Sequence, residues 1–234
     1  MAVSIDRVYQ RVLTLANKEQ RGYITPQEFN LLANHAQMDI FEQYFYDLNQ
    51  FLRVPGNSTV HADMVDVLEE KISVFETSAE LQPVGDTIIL DDLGDFYRLT
   101  SIVDPIDNTI FESITRKEVI LFQNSPLATP TEQRPVYTLD LATNRVRFFG
   151  RIPVDAQIDY IRQPNIVNWT YVVVGDKALH NATSPDLVNF DLHPSEETEL
   201  VLKILALAGF TLKDPNLYQA ASNEDIKNIQ QEKQ

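Results

Sequence analysis

Apolar residues at Ile5, Val8, Tyr9, Val12, Leu13 and Ala16 recur at helical spacing and share one face. Ser4 is placed to cap that helix, and the turn at Gly22 ends it. A longer helical pattern starts at Thr25-Pro26-Gln27-Glu28, a capping box. Thr25 accepts from the amide of Glu28, the Glu28 carboxylate reaches back to the amide of Thr25, and Pro26 takes the first helical position, where no amide hydrogen is missed. The pattern runs to about Leu52, a helix of roughly 40 Å. Leu31, Met38, Phe45 and Leu52 form a heptad row, interleaved with Phe41 and Leu48 and widened by Leu32, Tyr44 and Phe51. So broad a stripe predicts packing against more than one neighbour. After the turn at Pro55-Gly56-Asn57, a third helix is predicted over 62–77, with Met64, Val67, Leu68, Ile72 and Phe75 inward.

From Pro83 the period changes from helical to alternating. Short β-prone runs at 87–90, 96–103 and 109–114 are separated by Asp-Gly and Asp-Asn signals, as in a twisted antiparallel sheet. A second capping box, Thr115-Arg116-Lys117-Glu118, opens a short helix through about Phe122. The segment 125–135 carries three Pro and no apolar period, which makes it a long surface loop of the kind that contacts partners. Strands resume at VYTLDL, RVRFFG and AQIDYIRQP, with Thr143-Asn144 turning between the first two, and again at WTYVVVG (169–175). Helix then returns. Ser195 caps a segment whose first turn holds Glu196 and Glu197, with Leu200, Val201, Ile204, Leu205 and Ala208 inward, and Asp214-Pro215 opens a final helix.

The implied fold class is α+β: N- and C-terminal helices form a bundle, and an antiparallel β-rich lobe is inserted between them. The parts are an N-terminal helical part over 1–80, the lobe over 81–180, and C-terminal helices with an arm over 181–234. They form one composite domain more naturally than separate ones.

Composition narrows the function. The chain has 234 residues, no Cys, and a formal charge of -15 at pH 7. Without Cys there is no disulfide framework and no thiolate chemistry. The acidity argues against gripping nucleic acid through its phosphates or binding an anionic membrane. It is compatible with a surface past which DNA slides. The N-terminus lacks a basic region followed by an apolar one, so no secretory signal is expected. The most apolar run, LVLKILALAGFTL from Leu200, is interrupted by Lys203 and too short to span a bilayer.

Catalytic signals are sparse. There is no P-loop, no G-x-G-x-x-G, no H-E-x-x-H and no G-x-S-x-G. His35, His61, His180 and His193 have no ligand spacing, and Asp91, Asp92 and Asp95 bracket Leu93-Gly94 as a solvated turn more readily than as a cation site. No cofactor or metal is expected, and the chain reads as non-enzymatic. The stretch from Asn17 to Phe29 resembles a calcium-binding EF-hand loop, with Gly22 sixth and Glu28 twelfth. Its first ligand positions hold Asn17, Glu19 and Arg21, which is the wrong charge count for calcium. A degenerate EF-hand-like regulatory or interaction module is therefore the alternative reading.

Three stretches together carry a family resemblance: ANKEQRGYITPQEFNLLANHAQMDIFEQYF, IDYIRQPNIVNWTYVVV and LAGFTLKDPNLYQAASNEDIKNIQQEKQ. They resemble the adaptor or ring proteins between portal and tail in crAss-like and related short-tailed bacteriophages. The resemblance implies a virion structural protein at the head-tail junction, made in the host cytoplasm. It implies a homo-oligomeric ring, commonly twelvefold, that contacts the portal protein and neighbouring tail rings and surrounds the DNA channel without specific binding. It also implies a C-terminal arm that grips the portal. In that arm Ile226 and Ile229, spaced by three, are the candidate anchors on a partner, because so little apolar surface cannot hold a helix alone.

Overall fold

The computed structural model describes residues 3–18, 24–53, 59–175 and 177–211, with backbone alone at 17–18, 53, 59–64 and 210–211. The fold is α+β, with N- and C-terminal helices on either side of a β-rich insertion in the sequence. It divides into two compact units, one made of the described residues up to Val74 and from Pro164 onward, the other of Phe75–Gln163.

The helical unit contains α1 (Ile5–Lys18), α2 (Pro26–Arg53), α3 (Thr59–Ser73) and, after the insertion, α5 (Glu197–Thr211). α5 packs on α1 and α2, and α3 packs on α2. The α1 stripe is buried as the spacing predicts, except that Leu13 is only half-buried. The α2 stripe differs from expectation. Its buried face is Phe29, Ala33, Ala36, Gln37, Ile40, Phe41, Tyr44 and Asp47. That set follows the 3.6-residue period, whereas the heptad row drifts away from it; Leu31 and Leu52 are 74% and 64% exposed. The Thr25 capping box is formed: the Thr25 amide donates to Glu28 Oε2 at 3.0 Å and the Glu28 amide to Thr25 Oγ1 at 3.3 Å. These bonds hold the Glu28 carboxyl below the usual range.

Three amide side chains explain why polar residues occupy the α2 interface. Asn30, Asn34 and Gln37 stand on successive turns and act as a surrogate strand for the extended chain that follows the insertion. Asn34 Oδ1 accepts from the Val167 amide at 2.8 Å and its Nδ2 donates to the Val167 carbonyl at 3.0 Å. Asn30 Oδ1 accepts from the Trp169 amide at 2.9 Å. Gln37 Nε2 donates to the Asn165 carbonyl at 2.8 Å and its Oε1 accepts from the Asp191 amide at 3.1 Å. Buried backbone groups that no sheet reaches are satisfied in this way. On the far side of α2, Lys71 Nζ lies 2.8 Å from Glu196 Oε1, both side chains mostly buried, tying α3 to the 3-10 turn Pro194–Glu196 that precedes α5. That turn is capped by His193, whose Nδ1 accepts from the Ser195 amide; the predicted cap, Ser195, lies inside it.

The second unit is two four-stranded sheets over a shared core of Ile88, Leu90, Ile102, Phe111, Tyr137, Val146, Phe148, Ala156, Ile158 and Tyr160. One sheet has the order β1-β8-β3-β4, using β1 (Glu76–Leu81), β3 (Phe96–Asp104), β4 (Thr109–Ile110) and β8 (Ala156–Arg162). The other has the order β2-β7-β6-β5, using β2 (Thr87–Ile89), β5 (Glu112–Ser113), β6 (Val136–Asp140) and β7 (Arg145–Phe149). Its β5–β6 pair is parallel, against the antiparallel expectation. α3 stops at Ser73, not 77, because Phe75 is buried and the next residues alternate as β1 against β8. The helix α4 (Arg116–Asn124) begins at the second capping box, where the Thr115 amide donates to Glu118 Oε2 at 2.8 Å.

Candidate interaction surface

The segment 169–175, expected as a strand of the β lobe, belongs to the helical unit. It forms β9 (Tyr171–Val174), which among the described residues pairs only with β10 (Lys177–His180), a strand that the apolar pattern does not announce. The register places Tyr171 opposite His180, Val172 opposite Leu179, Val173 opposite Ala178 and Val174 opposite Lys177. Opposite residues share a face. One face therefore carries Tyr171, Val173, Ala178 and His180, and the other Val172, Val174, Lys177 and Leu179.

The base of this hairpin is fixed to the helical core through Trp169, the chain's one Trp, which is fully buried. The rings of Tyr171 and His180 lie nearly parallel to the indole at 5.8 and 5.6 Å. Tyr9 packs on it at 4.3 Å, and Tyr9 in turn meets Phe29 at 4.6 Å. The indole Nε1 donates to Asp6 Oδ1 at 3.0 Å. Thr170 closes the base by donating from Oγ1 to the Asn181 carbonyl at 2.7 Å while its own carbonyl accepts from the Asn181 amide at 2.9 Å.

Beyond that base the hairpin is uncovered. Val172, Val173, Val174 and Leu179 are 50–64% exposed, on both faces at once. A two-stranded hairpin without a buried face is marginal in water, and a contiguous apolar patch with free strand edges is the mark of a surface made to be covered. The chemistry it offers is apolar contact and backbone pairing. Comparison with protein-family models and with curated proteins found no match to this chain.

A second surface lies in the β unit, an open cleft of about 580 Å³ between α4 and the outer face of the β2-β7-β6-β5 sheet. Arg116, Arg145 and Arg147 line it, against one lining carboxylate, Asp140. Arg116 is paired with Asp140 at 3.1 Å and Arg147 with Asp86 at 2.7 Å. Most of its positive charge is thus neutralised from within.

The residues singled out from sequence do not converge. Ile226 and Ile229 lie outside the described residues, as do the side chains of Asn17, Glu19, Arg21 and His61. Glu28 Oε2 is engaged by its own cap residue, as the plain helix-start reading requires. His35 faces Asp39 at 3.6 Å on exposed helix surface. Asp91 accepts from Asn144 at 2.8 Å and Asp95 from the Tyr160 hydroxyl at 3.0 Å, so the acidic cluster is split between two structural bonds. Among the described residues no group of three or more His, Cys, Asp or Glu is arranged to hold a metal, and no helix is long and apolar enough to cross a membrane. The signal that would have found β10 is Gly175-Asp176, a two-residue turn signature after three Val. Gly175 takes the positive φ of +61° that such a turn needs.

Proposed function

We propose that the chain is a virion structural protein, a non-enzymatic ring or adaptor subunit that joins portal to tail and surrounds the DNA channel. The observation that carries this reading is the uncovered apolar hairpin, held rigidly at its base on a chain whose net charge of -15 favours separation of copies. A subunit of an assembly needs such a surface; an isolated protein is endangered by it. The resemblance to phage connector proteins supplies the kind of assembly, and the acidity suits a wall along which DNA slides without sticking. Ile226 and Ile229 remain candidate anchors of a C-terminal arm on the portal or the neighbouring ring. The test is the mass of the purified full chain, with its presence in particles. A closed high-order oligomer, or incorporation at the head-tail junction, is expected. A strict monomer that is absent from virions overturns the reading. Removal of residues 222–234 should impair attachment without changing the unfolding midpoint read from Trp169; equal incorporation of the truncated chain would dismiss the arm.

A further inference from the structure

At the base of the hairpin one carboxylate is engaged by the indole, and a ring nitrogen beside it is engaged by nothing. Asp6, in the first turn of α1, accepts the Trp169 indole proton on Oδ1 at 3.0 Å. His180 Nδ1 lies 3.9 Å from the same oxygen, too far for a hydrogen bond. That nitrogen is shut off from water and has no hydrogen-bond partner among the described residues. An unmatched buried polar atom calls for an explanation, and the neighbouring carboxylate supplies one. In the neutral imidazole Nδ1 is either a lone pair beside a negative charge or an N–H that stops short of it; in the imidazolium both ring nitrogens donate, and Nδ1 faces an acceptor of opposite charge. The surroundings suit that cation. The ring stacks on the indole at 5.6 Å with the planes 21° apart, so a positive charge would meet a π face. The side chain is 23% exposed, which lets protons reach it from water. Arg7, the neighbour of Asp6, is drawn to Glu197 at 3.3 Å, Lys177 lies on the other face of the hairpin, and the cross-strand neighbour is Tyr171.

We propose that His180, Asp6 and Trp169 form a proton-operated latch at the hairpin base: protonated His180 donates from Nδ1 to Asp6 and fixes β10 to α1, and neutral His180 releases it. In the released state the base keeps its ring stacking, the indole bond and the Thr170–Asn181 bonds. Histidine is the side chain whose charge ordinarily changes between about pH 5 and pH 8. Because the latched base holds the proton and the released base gives it up, lowering the pH through that range favours latching. The apolar strands are then presented on a stiffer base in mild acid and a looser one above neutrality. The latch acts on this surface whatever covers it, and does not depend on the ring reading above.

Trp169 reports on the latch directly, because it is the chain's one Trp and an imidazolium stacked on an indole quenches its emission. In the full chain, emission should fall in one step as the pH is lowered from about 8 to about 5. His180→Phe keeps a stacked ring without the proton and should show no step. Asp6→Asn keeps an acceptor for the indole but removes the charge, and the step should move to lower pH. The grip on the hairpin is read separately, by hydrogen exchange at the Asn181 amide, which donates to the Thr170 carbonyl at 2.9 Å. Its protection in the wild type relative to His180→Phe, compared at equal pH so that the intrinsic exchange rate cancels, should rise about threefold across the range, the size of a partly exposed ion pair. A flat wild-type emission, a step that survives in His180→Phe, or an Asp6→Asn step at the wild-type pH overturns the latch. A protection ratio that does not change with pH overturns it too, since His180 would then take up its proton without gripping the hairpin.

Discussion

Gly150, at the end of β7, offers a prediction whose magnitude can be worked from contacts. Its φ is +86°, and a Cβ built there would meet the Thr131 carbonyl oxygen at 2.8 Å, the Pro130 carbonyl carbon at 2.9 Å and the Thr131 nitrogen at 2.9 Å. All three are backbone atoms of the 125–135 loop, which is itself pinned by paired Thr131 and Arg134 hydrogen bonds. A positive φ by itself costs an L residue about 1 kcal/mol. Gly150→Ala adds an overpacking term of about 1–3 kcal/mol, because the loop must move away from the strand end, for a total of about 2–4 kcal/mol. The assay is native-state hydrogen exchange at the Phe148 amide, which donates to the Asp86 carbonyl at 2.9 Å across the same sheet. A loss near 3 kcal/mol lowers its protection roughly a hundredfold, at tenfold per 1.4 kcal/mol. If Gly150→Ala costs no more than about 1 kcal/mol, the backbone conformation alone, the loop is not held against β7 as described and the steric argument fails.

The helical unit gives further tests, read from Trp169 emission in urea. Asn34→Ala removes both partners of Val167 and should cost about 2–3 kcal/mol, since the amide and carbonyl left behind are partly buried; a change under 0.5 kcal/mol would mean the amide row is not a structural strand. Lys71→Met leaves the Glu196 carboxylate buried without its charge partner and should cost about 3 kcal/mol, largely recovered by pairing it with Glu196→Leu. Burial pushes the Glu196 carboxyl up, but its bond to Lys71 and the charge there outweigh this and hold it below the ordinary value of 4.5. A lowered folded pKa adds stability that is present above 4.5 and is lost as pH falls through the folded value. The wild type should therefore lose stability below about pH 4.5 more steeply than Lys71→Met does, and equal acid limbs would argue against the pair. Thr25→Ala should cost about 1 kcal/mol through the lost cap, with or without calcium, and calorimetry should find no calcium binding tighter than millimolar; a micromolar signal abolished by Glu28→Gln would restore the EF-hand alternative.

Where local chemistry decides structure, the chain is legible. Both capping boxes form because Thr and Glu three apart satisfy each other's amides whatever surrounds them. The α1 stripe and the strands β7 and β8 follow their periods closely because each has one buried face. The polar strand β1 escapes a reading based on apolar period: Glu76, Ser78 and Glu80 face outward, and the inward Thr77, Ala79 and Leu81 are small or half-buried. Its existence depends on pairing with β8, more than 70 residues away. The parallel β5–β6 pair is equally non-local, two residues long and set by the course of the loop that precedes β6.

The α2 face and the hairpin are misread for one shared reason. Counting apolar residues assigns them all to the interior, yet on α2 Gln37 and Asp47 share the interior with Phe29, Ile40, Phe41 and Tyr44, and Leu31 and Leu52 are left outside. The polar positions on that face answer a hydrogen-bond demand from a segment some 130 residues away, the backbone at Asn165, Val167 and Trp169, which Gln37, Asn34 and Asn30 meet. The leucines lie off that face because a seven-residue spacing drifts from the 3.6-residue period. The three valines after Trp169 stand in the same position, apolar by pattern and uncovered in one copy. The pattern of a single chain records which residues prefer to leave water but not whether the surface that receives them belongs to that chain. At β9 the two differ: Val172, Val173 and Val174 keep the strand period while more than half of each stays in water, so period alone assigns the strand and burial has to be read from the fold.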